Sequence, residues 1–226
     1  MNTCFINNRT LKIALILTVI VFNSCIENET KPVQEEASLP IYNDATFTPV
    51  WLENNNDKNL TIHSIPSFQF TNQLGDTITE KTFTNKIYVA NFFFTTCPGI
   101  CKKLSNNLIA VQQAFKEDAD VLLLSHSVTP EKDSTSVLLK YAKQYGIINN
   151  KWHLVTGNRS AIYSIARNGY FADEDLGVKK DETDFLHTEN IVLIDKLKRI
   201  RGVYKGTSEI EILNLIADIK RLKKEI

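Results

Sequence analysis

The sequence is short of the residues that would announce a chemistry. Cysteine occurs four times in 226 residues, far too few for a disulfide scaffold. Neither charge sign dominates: 26 Lys and Arg stand against 26 Asp and Glu, so the basic stripe expected of a nucleic-acid binder is missing. No internal repeat is present. The apolar run near the N-terminus, Ile13 to Phe22, holds ten residues and is broken only by Thr18. Crossing a hydrocarbon core takes about 20. What remains is an ordinary globular composition, 43% apolar and 23% charged. The length suits one domain of about 150–200 residues plus something extra. Such a domain buries enough surface to fold without a metal or disulfide staple.

The extra part is at the start. Arg9 and Lys12 precede the apolar run, the basic and apolar regions of an export signal. The run ends in Phe22-Asn23-Ser24-Cys25, which resembles the bacterial lipobox, where the cysteine is lipidated and becomes the new N-terminus. We therefore expect residues 1–24 to be a signal peptide and Cys25 a lipid anchor. The polar stretch 25–59, with Lys-Pro and Glu-Glu steps, reads as a tether, and 60–226 as the folded domain. Processing removes two cations and no acid, leaving a near-neutral chain of 24 cations and 26 acids. It also discards Cys4, so only Cys97 and Cys101 are left for chemistry.

From about Leu60 strands and helices alternate. Phe68 to Thr71 and Thr77 to Thr79 flank turn residues and predict a hairpin. Ile87 to Phe94 and Val121 to Val128 are apolar runs expected of strands covered on both faces. Leu104, Leu108, Val111 and Phe115 mark one face of a helix between them. Asp133 or Ser134 can cap a second helix that closes at Gly146. Trp152 to Thr156 predicts a strand, and 160–167 a helix stopped at Gly169. Asn190 to Asp195 and Ile200 to Tyr204 read as two strands, and a helix starts at Ser208 with Glu211 in capping-box position. Right-handed parallel crossovers followed by an antiparallel hairpin and a covering helix give an α/β fold with a central mixed sheet.

Cys97 and Cys101 fall where a buried strand gives way to a helix. Four residues are about one helical turn, so both sulfurs face one way. Pro98 suits the first helical position. The helix N-terminus, with Lys102 and Lys103 nearby, should lower the Cys97 pKa in particular. Two thiolates at one spot suit copper(I), zinc or reversible disulfide formation.

The turn Phe-Phe-Phe-Thr-Thr-Cys-Pro-Gly-Ile-Cys, residues 92–101, resembles that of the Sco/SenC family, thioredoxin-like copper proteins that serve cytochrome c oxidase assembly. Ser127 to Asp133 resembles the second signature of that family, and Trp152 to Gly157 its tryptophan-to-glycine strand. Leu186-His187-Thr188, followed by Ile191 to Asp195, resembles its histidine segment. Two positions depart from the pattern: Thr129 stands where the family usually has Asp, and Lys102 where it often has Pro. The resemblance implies a thioredoxin-like fold and copper ligands at Cys97, Cys101 and His187, holding Cu(I) or Cu(II). It also implies an oxidase copper-site subunit as partner and a separate thiol reductant or copper donor. Among the remaining histidines, His126 ends a strand that should point to the site, His63 reads as surface, and His153 as structural. The acids Asp181, Glu182 and Asp184 read as a solvated loop.

Two classes of function are expected from the same residues. One is a metal carrier delivering copper outside the cytoplasm. The other is a thiol–disulfide oxidoreductase with Cys97 as nucleophile and Cys101 as resolving thiol, so whether the chain is an enzyme stays open. A thioredoxin proper has two residues between its cysteines and a Trp before the first; here there are three, preceded by Thr96. A peroxiredoxin has Thr three places before its cysteine, where this chain has Phe94.

Overall fold

A computed structural model of the chain describes residues 38–51, 61–172, 186 and 188–225. The expected signal peptide and Cys25 lie outside the described residues. The centre of the fold is three parallel strands: β5 (Ile87–Phe93), β6 (Val121–Ser127) and β7 (Trp152–Thr156). The hairpin β3 (Gln69–Asn72) and β4 (Thr77–Thr79) adds antiparallel to β7. On the other side β8 (Asn190–Ile194) runs antiparallel to β5, and β9 (Ile200–Lys205) antiparallel to β8. Two short strands, β1 (Ile41–Tyr42) and β2 (Pro49–Val50), close that edge. The order is β2-β1-β9-β8-β5-β6-β7-β3-β4, a mixed sheet as expected.

The stretch 25–59, expected to be a tether, thus contributes two strands. Leu39 and Ile41 are buried, and Tyr42 pairs with Ile200. The Arg201 guanidinium donates to the Leu39 and Pro40 carbonyls at 2.6 and 3.0 Å and pairs with Asp195 and Glu225. A two-residue strand has no periodicity to read, so its place is decided by the partners it meets.

All seven residues of β5 are buried, and alternate side chains enter two cores. Ile87, Val89 and Phe93 meet α1 (Ile100–Ala114), α2 (Thr135–Tyr145) and α4 (Glu209–Glu225). These helices dock through Leu104, Leu108 and Val111, through Leu138 and Tyr141, and through Ile212, Leu215 and Ile219. Tyr88, Ala90 and Phe92 face a second core with Phe68, Phe70, Phe83 and α3 (Arg159–Ser164). Ser134 caps α2, and Gly146 ends it in the left-handed conformation at φ 65°. The helix expected over 160–167 is capped by Asn158 and ends in a π-turn at Ile165–Gly169, where the Tyr170 N–H donates to the Ile165 carbonyl at 3.0 Å. A Cβ on Gly169 would meet Ile165 at 2.9 Å and Pro66 at 3.1 Å, so the wide turn needs glycine there. Among the described residues no helix is long and apolar enough to cross a membrane.

His126 lies inside the second core, completely buried between Phe68, Phe70, Phe92 and Tyr170. Neither ring nitrogen has a hydrogen-bond partner. Burial alone pushes its pKa down to about 3. Above pH ~6.5 both folded and unfolded chains keep this imidazole neutral. Below it the unfolded chain takes up a proton that the folded one refuses, so stability falls as pH falls. Relative to His126→Leu, the wild type should lose about 2 kcal/mol more between pH 7 and pH 5 in urea unfolding. Identical pH slopes for the two proteins would contradict the assignment.

Candidate metal centre

The cysteine pair sits at the C-terminal end of β5, where the chain leaves the sheet for α1. The helix begins at Ile100, with Gly99 as its N-cap at φ −128° and ψ −101°. Cys97 and Pro98 are therefore in the turn and only Cys101 is in the helix, which starts two residues later than the sequence suggested. Gly99 supplies no side-chain cap. The backbone N–H groups of Gly99 and Cys101 act on the Cys97 sulfur and favour its anionic form. Both cysteines are free, and each is 6% exposed.

The two thiols differ. Burial works against a thiolate at Cys97, but the Cys101 thiol, the two amides and the Lys102 charge outweigh it and hold the pKa below the ordinary thiol value. Cys101 is pushed up to about 12, by burial first and then by the adjacent Cys97, against a hydrogen bond from the Phe94 N–H. Cys97 therefore gives up its proton more readily than Cys101. The arrangement is a nucleophile with a protonated neighbour, and, once both protons leave, two soft donors on one metal.

The turn is held from the side by Asp133, which is completely buried. Its carboxylate accepts from the Thr95 N–H at 3.2 Å, the Thr95 hydroxyl at 2.5 Å, the Ser127 hydroxyl at 2.5 Å and the Thr129 hydroxyl at 3.1 Å. Thr129 is thus a donor to this carboxylate, and an aspartate in its place would bring a second carboxylate against Asp133. Beneath Cys101, the Ser105 and Tyr141 hydroxyls pair at 2.8 Å inside the first core. The sequence placed Asp133 only in a motif and at a helix cap. Its second role needs Thr95, 38 residues away, and only the clustering of Ser, Thr and Asp hinted at it.

The described histidines do not join the cysteines. His126 faces the opposite side of the sheet. His63 is half-buried, pairs with the Gly169 carbonyl at 2.8 Å and lies against Phe171 at 4.5 Å. His153 packs beside Phe83, and burial holds its pKa down. His187 lies outside the described residues, as do the acids of the preceding loop. Its neighbour Leu186 is buried in the second core, and Thr188 accepts from the Asn190 N–H at 3.1 Å where β8 starts. That is the same end of the sheet as the cysteine turn, because β8 runs antiparallel to β5. Among the described residues no group of three His, Cys, Asp or Glu could hold a metal ion.

The SCO1/SenC family model matches residues 56–224. The chain belongs to the SCO1/SenC family. A SCO1/SenC family lipoprotein from Bacillus anthracis superposes with a TM-score of 0.63 at 28% identity, over 74% of this chain and 98% of the other. BsSco, described as having a disulfide switch and as a member of the Sco family of cytochrome c oxidase assembly proteins, gives a TM-score of 0.59 at 25% identity, over 73% and 96%. ScoI of Arabidopsis thaliana, solved with copper bound, gives 0.55 at 25%, over 69% and 98%. The thioredoxin-like fold expected from the motifs is the fold observed, and the SCO1/SenC match extends beyond the cysteine turn over the strands and helices from β3 to α4.

The Asp133 contacts generate a test. Asp133→Ala strands one amide and three hydroxyls and should cost about 3 kcal/mol in urea unfolding. It should also slow alkylation of Cys97 at neutral pH several-fold, since the amides that stabilise the thiolate are aimed by this turn. Unchanged stability and unchanged alkylation would remove Asp133 from the site.

Proposed function

We propose that the protein is a membrane-anchored carrier that binds copper at Cys97, Cys101 and His187 and delivers it to a cytochrome c oxidase subunit during assembly. The observation that carries this reading is the convergence of two free cysteine sulfurs, with the Cys97 pKa held below the ordinary thiol value, at an end of the sheet where Thr188 leads into β8. Copper bound to a Sco relative and the oxidase-assembly description of the family support it.

Two thiolates and an imidazole suit Cu(I) and tolerate Cu(II), which favours nitrogen. Three protein ligands enclose the ion incompletely, whereas a structural zinc site supplies four. The cargo is therefore held by few bonds and is open to an incoming ligand. Anchoring rests on Cys25, in keeping with the lipoprotein relative. In an oxidising compartment the pair rests as a disulfide, and a thiol reductant must open it before metal enters.

A second reading is favoured by the unequal thiols. A stabilised thiolate at Cys97 can attack a disulfide in a target protein, and Cys101, once deprotonated, resolves the mixed disulfide. Target reduction and copper delivery use the same two residues, and His187 separates them.

Titration of the reduced mature chain with copper should give a thiolate-to-Cu(II) absorption band. Cys97→Ser and Cys101→Ser should abolish it. His187→Ala should lose tight copper binding while leaving disulfide exchange largely intact; unchanged copper affinity in that variant would overturn the carrier assignment. For the anchor, Cys25→Ala should take up no labelled lipid and, unlike the wild type, be released from membranes by a high-salt wash; lipid labelling that persists in that variant would rule Cys25 out.

A further inference from the structure

The end of the sheet away from the cysteines has a chemistry of its own. Antiparallel pairing of Tyr88 with Ile194 puts the β8–β9 turn at the start of β5. Parallel pairing of Ile87 with Val121 brings residues 115–120 to the same end. Lys223 bridges to Asp118 there, which adds the C-terminal turn of α4. The segments 84–86, 115–120, 195–201 and 220–225 hold ten cations and five acids, in a chain whose total is neutral. Asp44, Asp76 and Lys151 in neighbouring turns lower that surplus of five by one. Four of the five acids, Asp118, Asp120, Asp195 and Glu225, are already ion-paired within this end. The outward field is therefore positive, and the rest of the chain carries the balancing negative charge.

Two further features belong to this end. Leu197, between Lys196 and Lys198 at the tip of the β8–β9 turn, is 60% exposed. The chain also enters the domain here: the Leu39 N–H donates to Glu225 at 2.7 Å, and Arg201 holds the Leu39 and Pro40 carbonyls.

We propose that this basic end docks on the surface of an anionic phospholipid bilayer. The inference deepens the anchored-carrier reading and rests on it for its biological setting. Lysines at the rim meet lipid phosphates, Leu197 enters the layer beneath the headgroups, and the cysteine pair faces away from the membrane. A nucleic acid offers phosphates but no hydrocarbon for an exposed leucine, and the negative remainder of the domain would repel it.

The test uses the mature chain from residue 25 with Cys25→Ala, so that no lipid contributes. Vesicles of phosphatidylcholine with about 30% phosphatidylglycerol should bind it in flotation, and pure phosphatidylcholine vesicles should not. Binding should vanish by about 0.5 M salt, a dependence that needs no variant. The triple change Lys198→Gln, Lys220→Gln and Lys224→Gln should lower partitioning roughly a hundredfold. The change Lys103→Gln, Lys132→Gln and Lys205→Gln, at the cysteine end, should leave it intact. Absence of phosphatidylglycerol-dependent binding, equal losses in the two triples, or equally tight binding to a single-stranded RNA would overturn the proposal. Lipid labelling of Cys25 in cells is scored separately, so failure of the anchor and failure of the docking surface are told apart.

Discussion

β5 has no free edge and no free face. It pairs with β6 on one side and β8 on the other, and every one of its residues is buried. Its chain can leave only at the ends. At the C-terminal end it must turn onto the face where α1 lies, and α1 is fixed there by Leu104, Leu108 and Val111. The residues between strand and helix are thereby suspended above the end of the sheet, within reach of the first amides of the helix. Cys97 is one of them. The position and the thiolate character of that cysteine follow from the burial of a strand that carries no catalytic residue.

The two ends of the sheet are closed by different chemistry. At the cysteine end one carboxylate, Asp133, gathers hydroxyls and an amide, a set of donors that carries no charge of its own. At the other end one guanidinium, Arg201, gathers two carboxylates and two carbonyls. Each buried ion has its bonding capacity met by groups far apart in sequence, which is the condition under which such burial is tolerated. Seven residues of strand separate the two networks, about 20 Å, so changes in one should add to changes in the other without coupling.

Most of the fold was legible because its elements carry strong local signals. The periodicity of α1, the cap at Ser134, the left-handed Gly146 and the apolar runs of β5 and β6 all appear where the sequence put them. The misreadings share a cause, which is that the deciding partner is remote. β1 and β2 are too short for a pattern and exist because β9 offers them an edge. The helix was expected to start at Pro98, whereas Gly99 takes a backbone conformation outside the helix and shifts its start to Ile100. His126 was expected near the end of the strand that faces the site, as a satisfied or exposed histidine rather than a metal contact, and it is neither hydrogen-bonded nor exposed. Strand parity sends it with Phe92 into the opposite core, while Ser127, one residue on, reaches Asp133. Of the site residues that the motifs named, Cys97 and Cys101 lie side by side at the end of β5, and His187 lies outside the described residues. The groups that orient those residues come from three segments at once and leave no spacing to detect.

If the proposed function holds, the unequal pair lets one site serve both a metal and a disulfide. A symmetric pair of low-pKa thiols would hold metal tightly but leave no proton to return. Here Cys97 is the more readily ionised of the two, and Cys101, whose thiol is pushed up, holds its proton more firmly. Binding copper through both sulfurs must expel the Cys101 proton, and losing copper takes it back, so each exchange is coupled to a proton as well as to redox state. Burial of Cys101 makes the metal-free dithiolate costly, which works against a long-lived double anion and in favour of passing through it only with a partner present. A thiolate from an incoming protein can supply the bond that Cys101 gives up, and reprotonation of Cys101 then drives the metal forward. Transfer in this scheme depends less on how weakly the carrier binds copper than on how readily its inner cysteine recovers its proton.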